Sequence, residues 1–513
     1  MIEYLQTGAI NLPSFFQPNS KAEVVPTADF LYALNGSSVA ADDYLGSRPD
    51  SHIVADFEKI MSNCGDFHED SGVSDIVECL NYLATRKDDY FTSETTSPTP
   101  SRLEGNPRLS SKVSQSPEDA CNGPIRTYHT YWAGHATWRV ELFIKAYLYS
   151  QNLACSRLWV WLDADVDPSA LKTMLYHDPL FQRFRPLLDE GYITLKEWKL
   201  PFRIPLPRLS KALDPHTLYR PSNPTVTGEV PVADGVMQDA SGMLWLLPQP
   251  LYKHVATPTQ VSDLVRFVVL HLHGGVYLDM DVLLLRDLRP LLLLPQSPPT
   301  DPDAQPAWAE QWVEHAHDPG DYNTAVLSLP ANSSLTSYLL RGGLRMGMNF
   351  HPRVLGRMMW KDGRNGELGM FHNAVFDPLV TNLRRRGTGK CTVPCHKNFE
   401  SAFMGNVEEP GFEWSNYEGP PPEHAARLHA GEEEVATTNR TMENFFRGAF
   451  AYHIHNQWQK FPEKNSWMDV ITRTQDGFFS GERTNAYGEV WRGPALEAYD
   501  RSTWGWNSGE LRT

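Results

Sequence analysis

No run of apolar residues in this chain is long enough to cross a bilayer. The most apolar stretch, Leu283 to Leu294, is broken by Arg286, Asp287, Arg289 and Pro290, whereas a spanning helix needs about 20 largely uninterrupted apolar residues. The first thirty residues hold Pro13, Pro18, Asn19, Lys21 and Glu23 and no apolar segment of leader length. Positive charge is also short, with Lys+Arg 46 against Asp+Glu 62 and a formal net charge of −16. That balance argues against a nucleic-acid partner and supplies no basic surface for anionic membranes. It makes a cation more necessary wherever a diphosphate must bind. Cysteine is scarce: Cys64, Cys79, Cys121, Cys155, Cys391 and Cys395 are too few in 513 residues for a disulfide scaffold. Cys391-x-x-x-Cys395-His396 has no second Cys/His pair at zinc-site spacing, so a local disulfide or two ordinary thiols is expected there. Apolar residues are plentiful, at 41% with 11% aromatic, enough for a sizeable core in a chain that can hold one large domain with additions, or two to three domains.

Patterning divides the chain. Residues 1–90 read as a partly helical N-terminal extension, with helical periodicity over Ile53 to Met61 and Val73 to Leu83. Residues 91–122 are Ser/Thr/Pro-rich and read as a flexible linker. Residues 123–475 read as the catalytic domain, with loop-like insertions at 201–235, 296–307 and 405–440, and residues 476–513 as a C-terminal tail. Thr127 to Trp132, Leu158 to Leu162 and Ile193 to Trp198 have strand character, and a helix is expected from about Ala136 to Ser150. This β-α-β alternation predicts a parallel sheet. Ligands bind beyond the carboxyl ends of such strands, where Trp132 and Asp163 would lie.

The most informative segment is Gly274-Gly275-Val276-Tyr277-Leu278-Asp279-Met280-Asp281. Residues i and i+2 of a strand share a face, so Asp279 and Asp281 can approach one hard dication, Mn²⁺ or Mg²⁺, whose other ligands can be phosphate oxygens. Before it, Leu264, Phe267, Val268 and Leu270 form a helical apolar face with Ser262 as a candidate N-cap, and Asp263 and Arg266 are helix neighbours at i and i+3. Gly274 and Gly275 then end the helix. A second Asp-x-Asp, Asp163-Ala164-Asp165, lacks this frame.

The block from Ser262-Asp263-Leu264-Val265-Arg266 through Asp279-Met280-Asp281 resembles the sugar-binding region of glycosyltransferase family 32. That family includes fungal mannosyltransferases and animal α-1,4-galactosyltransferases, and the glucosyltransferase domains of clostridial toxins carry a similar block. The resemblance implies an α/β GT-A (Rossmann-like) fold with a mostly parallel central sheet, a nucleotide-sugar donor (UDP- or GDP-sugar), a divalent metal, and retention of anomeric configuration. It implies that Asp263 and Arg266 contact the donor sugar, Tyr277 lines the donor pocket, Asp279 faces ribose and sugar, and Asp281 ligates metal directly. Trp132 resembles an aromatic that stacks on the base, and Asp163 would contact base or ribose. The family's usual Golgi or secretory setting has no matching leader or anchor here, which leaves a cytosolic place open; sequons at Asn35, Asn332 and Asn439 are compatible with a lumenal one.

Near the end of the catalytic region stands Ala451-Tyr452-His453-Ile454-His455-Asn456-Gln457-Trp458-Gln459-Lys460. His453 and His455 alternate as on a strand, and imidazole suits Mn²⁺. His453, Asn456 and Trp458 match the family's terminal motif, which implies His453 as third protein ligand, Asn456 at the metal or the β-phosphate and Trp458 at the β-phosphate; Lys460 could neutralise the leaving diphosphate, and His455 is the alternative ligand. On the acceptor side, Asn323 leads a strand-like segment similar to one in the family, and Asn373 and Asp377 could orient hydroxyls. Retention could proceed through a covalent carboxylate intermediate or by same-face attack; no clear nucleophile is visible, which favours the latter. The acceptor would be a glycan, a glycolipid or another hydroxyl. Two rival readings remain: a two-metal phosphotransferase or nuclease, which leaves Asp263 and Arg266 unexplained, and an inactive lectin-like, sugar-binding or scaffolding relative, which would be expected to have lost one of the paired carboxylates or His453.

Overall fold

The computed structural model describes residues 45–64, 73–93, 121, 124–207, 230–233, 235–248, 258–294, 305–312, 322–378, 402–404, 442, 445–455, 462–464 and 466–500. Seven strands form the main sheet: β1 (Arg126–Trp132), β2 (Ser156–Asp163), β3 (Ile193–Trp198), β4 (Val276–Leu278), β5 (Trp308–Gln311), β6 (Tyr322–Ser328) and β7 (Gly369–Phe371). Their spatial order is β3-β2-β1-β4-β6-β5-β7. All neighbours are parallel except β6, which runs against both β4 and β5. The chain moves outward from β1 on one side and starts again at β4 on the other. The crevice beyond the carboxyl ends of β1 and β4 is therefore the switch point of an α/β sheet, where ligands bind. Val276, Tyr277 and Leu278 are fully buried, as a short apolar run at the centre of a covered sheet must be.

Two cores flank the sheet. One carries helix α1 (Trp138–Ser150), all of whose residues are buried; the other carries helix α2 (Pro258–His273), which seats Leu264, Phe267, Val268 and Leu270 against the sheet. Helix α2 begins at Pro258, a turn before Ser262, so Ser262 is inside the helix rather than its cap, and its hydroxyl lies 3.4 Å from Tyr277 Oη. Proline early in the first turn already has the required φ and no amide to satisfy. The Gly pair ends the helix as expected, with Gly274 at φ +64 and Gly275 at φ +93. At Gly275 a Cβ would stand 2.1 Å from Thr127 O, so only glycine lets β4 dock this closely on β1.

Other segments differ from their sequence patterns. Ile53–Ala55 is a strand paired with Phe91–Ser93, and the helix starts only at Phe57. Phe91–Ser93, the first residues of the Ser/Thr/Pro-rich stretch, are therefore strand and not linker. Ile204–Leu206 and Val230–Ala233, within a stretch expected to be loop, join a small four-stranded antiparallel sheet with Val236–Gln238 and Leu244–Leu246. Ile60, Leu80, Leu83 and Tyr90 share one core with Leu284, Phe450, Trp491 and Tyr499. The buried Arg286 guanidinium joins these pieces, donating to Leu83 O at 3.1 Å, Gly448 O at 2.7 Å and Tyr90 Oη at 2.7 Å. Disulfides Cys64–Cys79 and Cys121–Cys155 were not anticipated from the sparse cysteines; Cys391 and Cys395 lie outside the described residues. Among the described residues no helix is long and apolar enough to cross a membrane.

Candidate active site

The site begins where β4 stops. Asp279 N donates to Ala325 O of β6 at 2.8 Å, and Val282 N donates to Asp279 O at 3.0 Å, closing a tight turn through Met280 and Asp281. The chain leaves the turn as a strand, Val282–Leu284, that pairs antiparallel with Ala451–His453, with Val282 opposite His453. Ile454 N also donates to Asp281 O at 2.8 Å. Backbone pairing thus brings His453, some 170 residues away in sequence, to the carboxylates: its Nε2 lies 3.4 Å from Asp281 Oδ1.

Arg266 enters from α2. Its Nη2 contacts Asp263 Oδ1 at 2.9 Å and both oxygens of Asp279, at 3.1 and 3.2 Å, while Nη1 donates to Thr324 Oγ1 at 2.6 Å. The guanidinium also sits over the Tyr277 ring, 5.2 Å from its centroid. The planar fork suits this convergence of acceptors. Burial acts to lower the Arg266 guanidinium, but Asp279 and then Asp263 outweigh it and raise the group above its ordinary value.

The two carboxylates of the pair differ. Burial, assisted by the charge of Asp281 and only partly offset by Arg266, raises Asp279 to about 6. Asp281 is likewise part-buried, yet His453 and then Arg139 pull it below the ordinary carboxylate range. Arg139 Nη1 is 4.0 Å from Asp281 Oδ2, and its Nη2 donates to His455 O at 3.0 Å. Burial would lower His453, but Asp281 foremost, with Asp377 and Glu310, lifts it to about 10.

Beyond His453 the strand ends. His455 takes the left-handed conformation at φ +57, so the expected strand alternation does not reach it. Its ring nevertheless stacks on that of His453, with centroids 3.9 Å apart. His455 Nε2 is 2.6 Å from Asp377 Oδ2, and His453 Nδ1 is 3.9 Å from the same oxygen. Asp377 follows a 3-10 turn, Asn373–Val375, and its amide donates to Asn373 O at 2.6 Å. The adjoining Glu310, on β5, accepts from Asn323 Nδ2 at 3.0 Å. Burial and then Asp377 push the Glu310 carboxyl well above its usual range.

The nucleotide-side candidates sit at the ends of β1 and β2. Trp132 is partly exposed, and its indole N–H donates to His135 O at 2.8 Å. Asp163 is buried; it accepts from Tyr131 Oη at 2.5 Å and from the amides of Asp165 and Val166, each at 3.0 Å. Tyr277 is fully buried beneath Arg266. Asn323 is also buried; its carbonyl accepts from Ala325 N at 3.0 Å. Asn456, Trp458 and Lys460 lie outside the described residues. Sequence reading missed Arg139, Thr324 and Glu310. Arg139 had one signal, a cation in the first turn of a helix, where the dipole disfavours it.

A family model described as a glycosyltransferase sugar-binding region containing a DXD motif matches residues 228–298. That span holds α2, the Gly pair, β4, both carboxylates and the strand that leads to His453. The chain is a glycosyltransferase, and the matched region sits on a mixed α/β fold whose seven-stranded sheet is parallel except for β6. No curated protein matches the sequence. Among solved structures, one titled PaToxG Glycosyltransferase aligns at TM-score 0.27 and 13% identity, over 50% of this chain and 74% of that chain. A likeness that slight carries no argument about function.

Proposed function

We propose that this protein is a metal-dependent, retaining glycosyltransferase that moves a hexose from a UDP- or GDP-sugar to a hydroxyl of a glycan, glycolipid or other acceptor. The observation that carries the reading is the Arg266 fork. One cation from α2 is held between Asp263, Asp279 and Thr324 at the switch point of the sheet, where a sugar's hydroxyls would meet both donors and acceptors.

The residues present fit an Mn²⁺ or Mg²⁺ ion at the paired carboxylates. Asp281 touches His453 at 3.4 Å and Arg139 at 4.0 Å, looser than the contacts that hold Asp279, and it keeps its charge. Asp281 would be the direct ligand, Asp279 would stand behind it toward ribose and sugar, and His453 and His455 are the neighbouring imidazoles. A bound metal supplies Lewis-acid stabilisation of the departing diphosphate. Arg266, Asp263 and Asp279 orient the donor sugar, Tyr277 braces Arg266 from below, and Trp132 and Asp163 border the base and ribose. Asn456, Trp458 and Lys460 serve the diphosphate, and Asn323, Asn373 and Asp377 border the acceptor. Same-face attack by the acceptor hydroxyl accounts for retention without a dedicated nucleophile.

The test is donor hydrolysis with Mn²⁺ across UDP-Gal, UDP-Glc, UDP-GlcNAc and GDP-Man. Asp281→Asn should lower metal-dependent hydrolysis by about a hundredfold or more while leaving the circular dichroism spectrum unchanged. Wild-type turnover in that variant would remove Asp281 from the site, and an inert wild type on every donor would favour an inactive sugar-binding relative.

A further inference from the structure

Strand β6 breaks its pairing with β5 part-way along. Ser328 stands opposite Trp308 and Leu327 opposite Ala309, but the next partners are Asn323 and Glu310. Thr324, Ala325 and Val326 thus face a single peptide step of β5, an extended bulge. On its other side β6 stays with β4: Val326 pairs with Leu278, and Ala325 O accepts from Asp279 N at 2.8 Å. Asn323 braces the bulge at its base, where its Oδ1 accepts from Ala325 N at 3.0 Å and its Nδ2 donates to Glu310 at 3.0 Å. Bulges re-aim side chains beside active sites, and here the effect can be read from the two cores. In a regular strand alternate residues share a face. Val326 and Ala325 both lie in the core with α1, whereas Tyr322 and Leu327 lie in the core with α2, so the alternation slips by one residue. An unbulged strand would put Thr324 on the face of Val326. The bulge puts it on the face of Tyr322, the side that carries α2 and Arg266.

We propose that Thr324 is the positioning residue that aims Arg266 at the donor sugar, and that the bulge is the device that delivers its hydroxyl. The proposal rests on the donor-sugar role given to Arg266 under the proposed function. Arg266 Nη2 is gripped by Asp263 and by both oxygens of Asp279. These acceptors meet at one nitrogen, and a planar group held at one corner can still swing about it. Thr324 Oγ1, 2.6 Å from Nη1, is the contact at the other corner, and among the described residues Nε has no partner. Thr324 is 4% exposed, so bulk water is kept from taking its place. Two pinned corners fix the direction of the fork as well as its position. Rate falls steeply when an orienting group is displaced by about an ångström. Thr324 touches Arg266 rather than the sugar, so its effect falls on turnover and not on nucleotide binding.

The experiment compares the full-length wild type with Thr324→Val and Thr324→Ser. Valine keeps the shape and removes the acceptor; serine keeps the acceptor and removes the methyl group. Donor hydrolysis with Mn²⁺ gives kcat and KM on the preferred donor, calorimetry gives Kd for UDP and GDP, and circular dichroism establishes folding. Thr324→Val should lower kcat about tenfold, with KM and nucleotide Kd within about twofold of the wild type, and Thr324→Ser should recover kcat to within about twofold. A role in packing alone gives the opposite order, valine tolerated and serine impaired, and that order overturns the proposal. So does a nucleotide Kd in Thr324→Val weakened as much as its kcat. Should Thr324→Val not fold, Thr324→Cys takes its place, since sulfur accepts a hydrogen bond only weakly, and the same loss of about tenfold is required of it. A wild type that neither binds a nucleotide nor hydrolyses any donor overturns the donor reading of Arg266 and this proposal with it; an active wild type with an unaffected valine variant overturns the proposal alone.

Discussion

At the scale of single residues, the chemistry turns on how one burial environment produces different charges. Asp279 and Asp281 are two positions apart, yet the first is pushed up to about 6 and the second is pulled down. The difference lies in neighbours from elsewhere in the chain, Arg266 and Asp281 around one, His453 and Arg139 around the other. Arg266 can serve two carboxylates and a hydroxyl only because its donors are spread across a rigid plane. A lysine places its charge at one point and cannot span the same acceptors. Arg266→Lys is therefore expected to fold but to lower kcat/KM for donor hydrolysis by roughly tenfold to a hundredfold, measured on the preferred donor. Asp263 and Arg266 were legible in the sequence because their spacing is that of a helix. Arg139 and Glu310 were not, because a charged residue in a helix or strand reads as solvated until its burial is known.

At the scale of elements, the Gly pair decides where the carboxylates stand. Gly275 lets β4 approach β1 so closely that a methyl group would overlap Thr127 O, whereas at Gly274 the nearest atom, Ala331 N, is 3.0 Å from a built Cβ. His129 fixes the same turn: its Nε2 contacts Gly274 O at 2.9 Å, and its Nδ1 accepts from Trp161 Nε1 at 3.1 Å. Burial lowers this histidine to about 3, so it stays neutral and the tautomer with the proton on Nε2 is set. Gly275→Ala is expected to cost about 2–3 kcal/mol through its backbone alone, more than Gly274→Ala, and to lose donor hydrolysis as β4 shifts. Thermal unfolding of the two variants checks the order. The helix, the Gly pair and the strand were all readable from periodicity and glycine placement. The reach of α2 back to Pro258 was not, since Ser262 is an equally good capping residue on local grounds.

At the scale of the molecule, segments remote in sequence close around one core. Arg286 ties the turn after Val282–Leu284 to Leu83 and Tyr90, and Cys121–Cys155 fastens the entry to β1 against the start of β2 across 34 residues. Closing a loop of that length in the unfolded chain stabilises the fold by about 3–4 kcal/mol in the chain-entropy model. Cys121→Ser is expected to lower the thermal midpoint, and a thiol reductant should lower it in the wild type but have less effect on the variant; differential scanning calorimetry checks both.

By itself the sequence determined what local spacing can encode: the β-α-β succession, the α2 face with Asp263 and Arg266, and the carboxylates two residues apart at a strand's end. These depend on periods of 3.6 and 2 residues and on what glycine alone can do. Tertiary structure decided what meets them. Strand pairing put His453 against Asp281, the 3-10 turn after β7 put Asp377 against His455, and the packing of α1 placed Arg139 beside Asp281 and the His455 carbonyl. No local pattern specifies such meetings, because they depend on which distant strands share an edge and on which charges burial leaves to compensate one another.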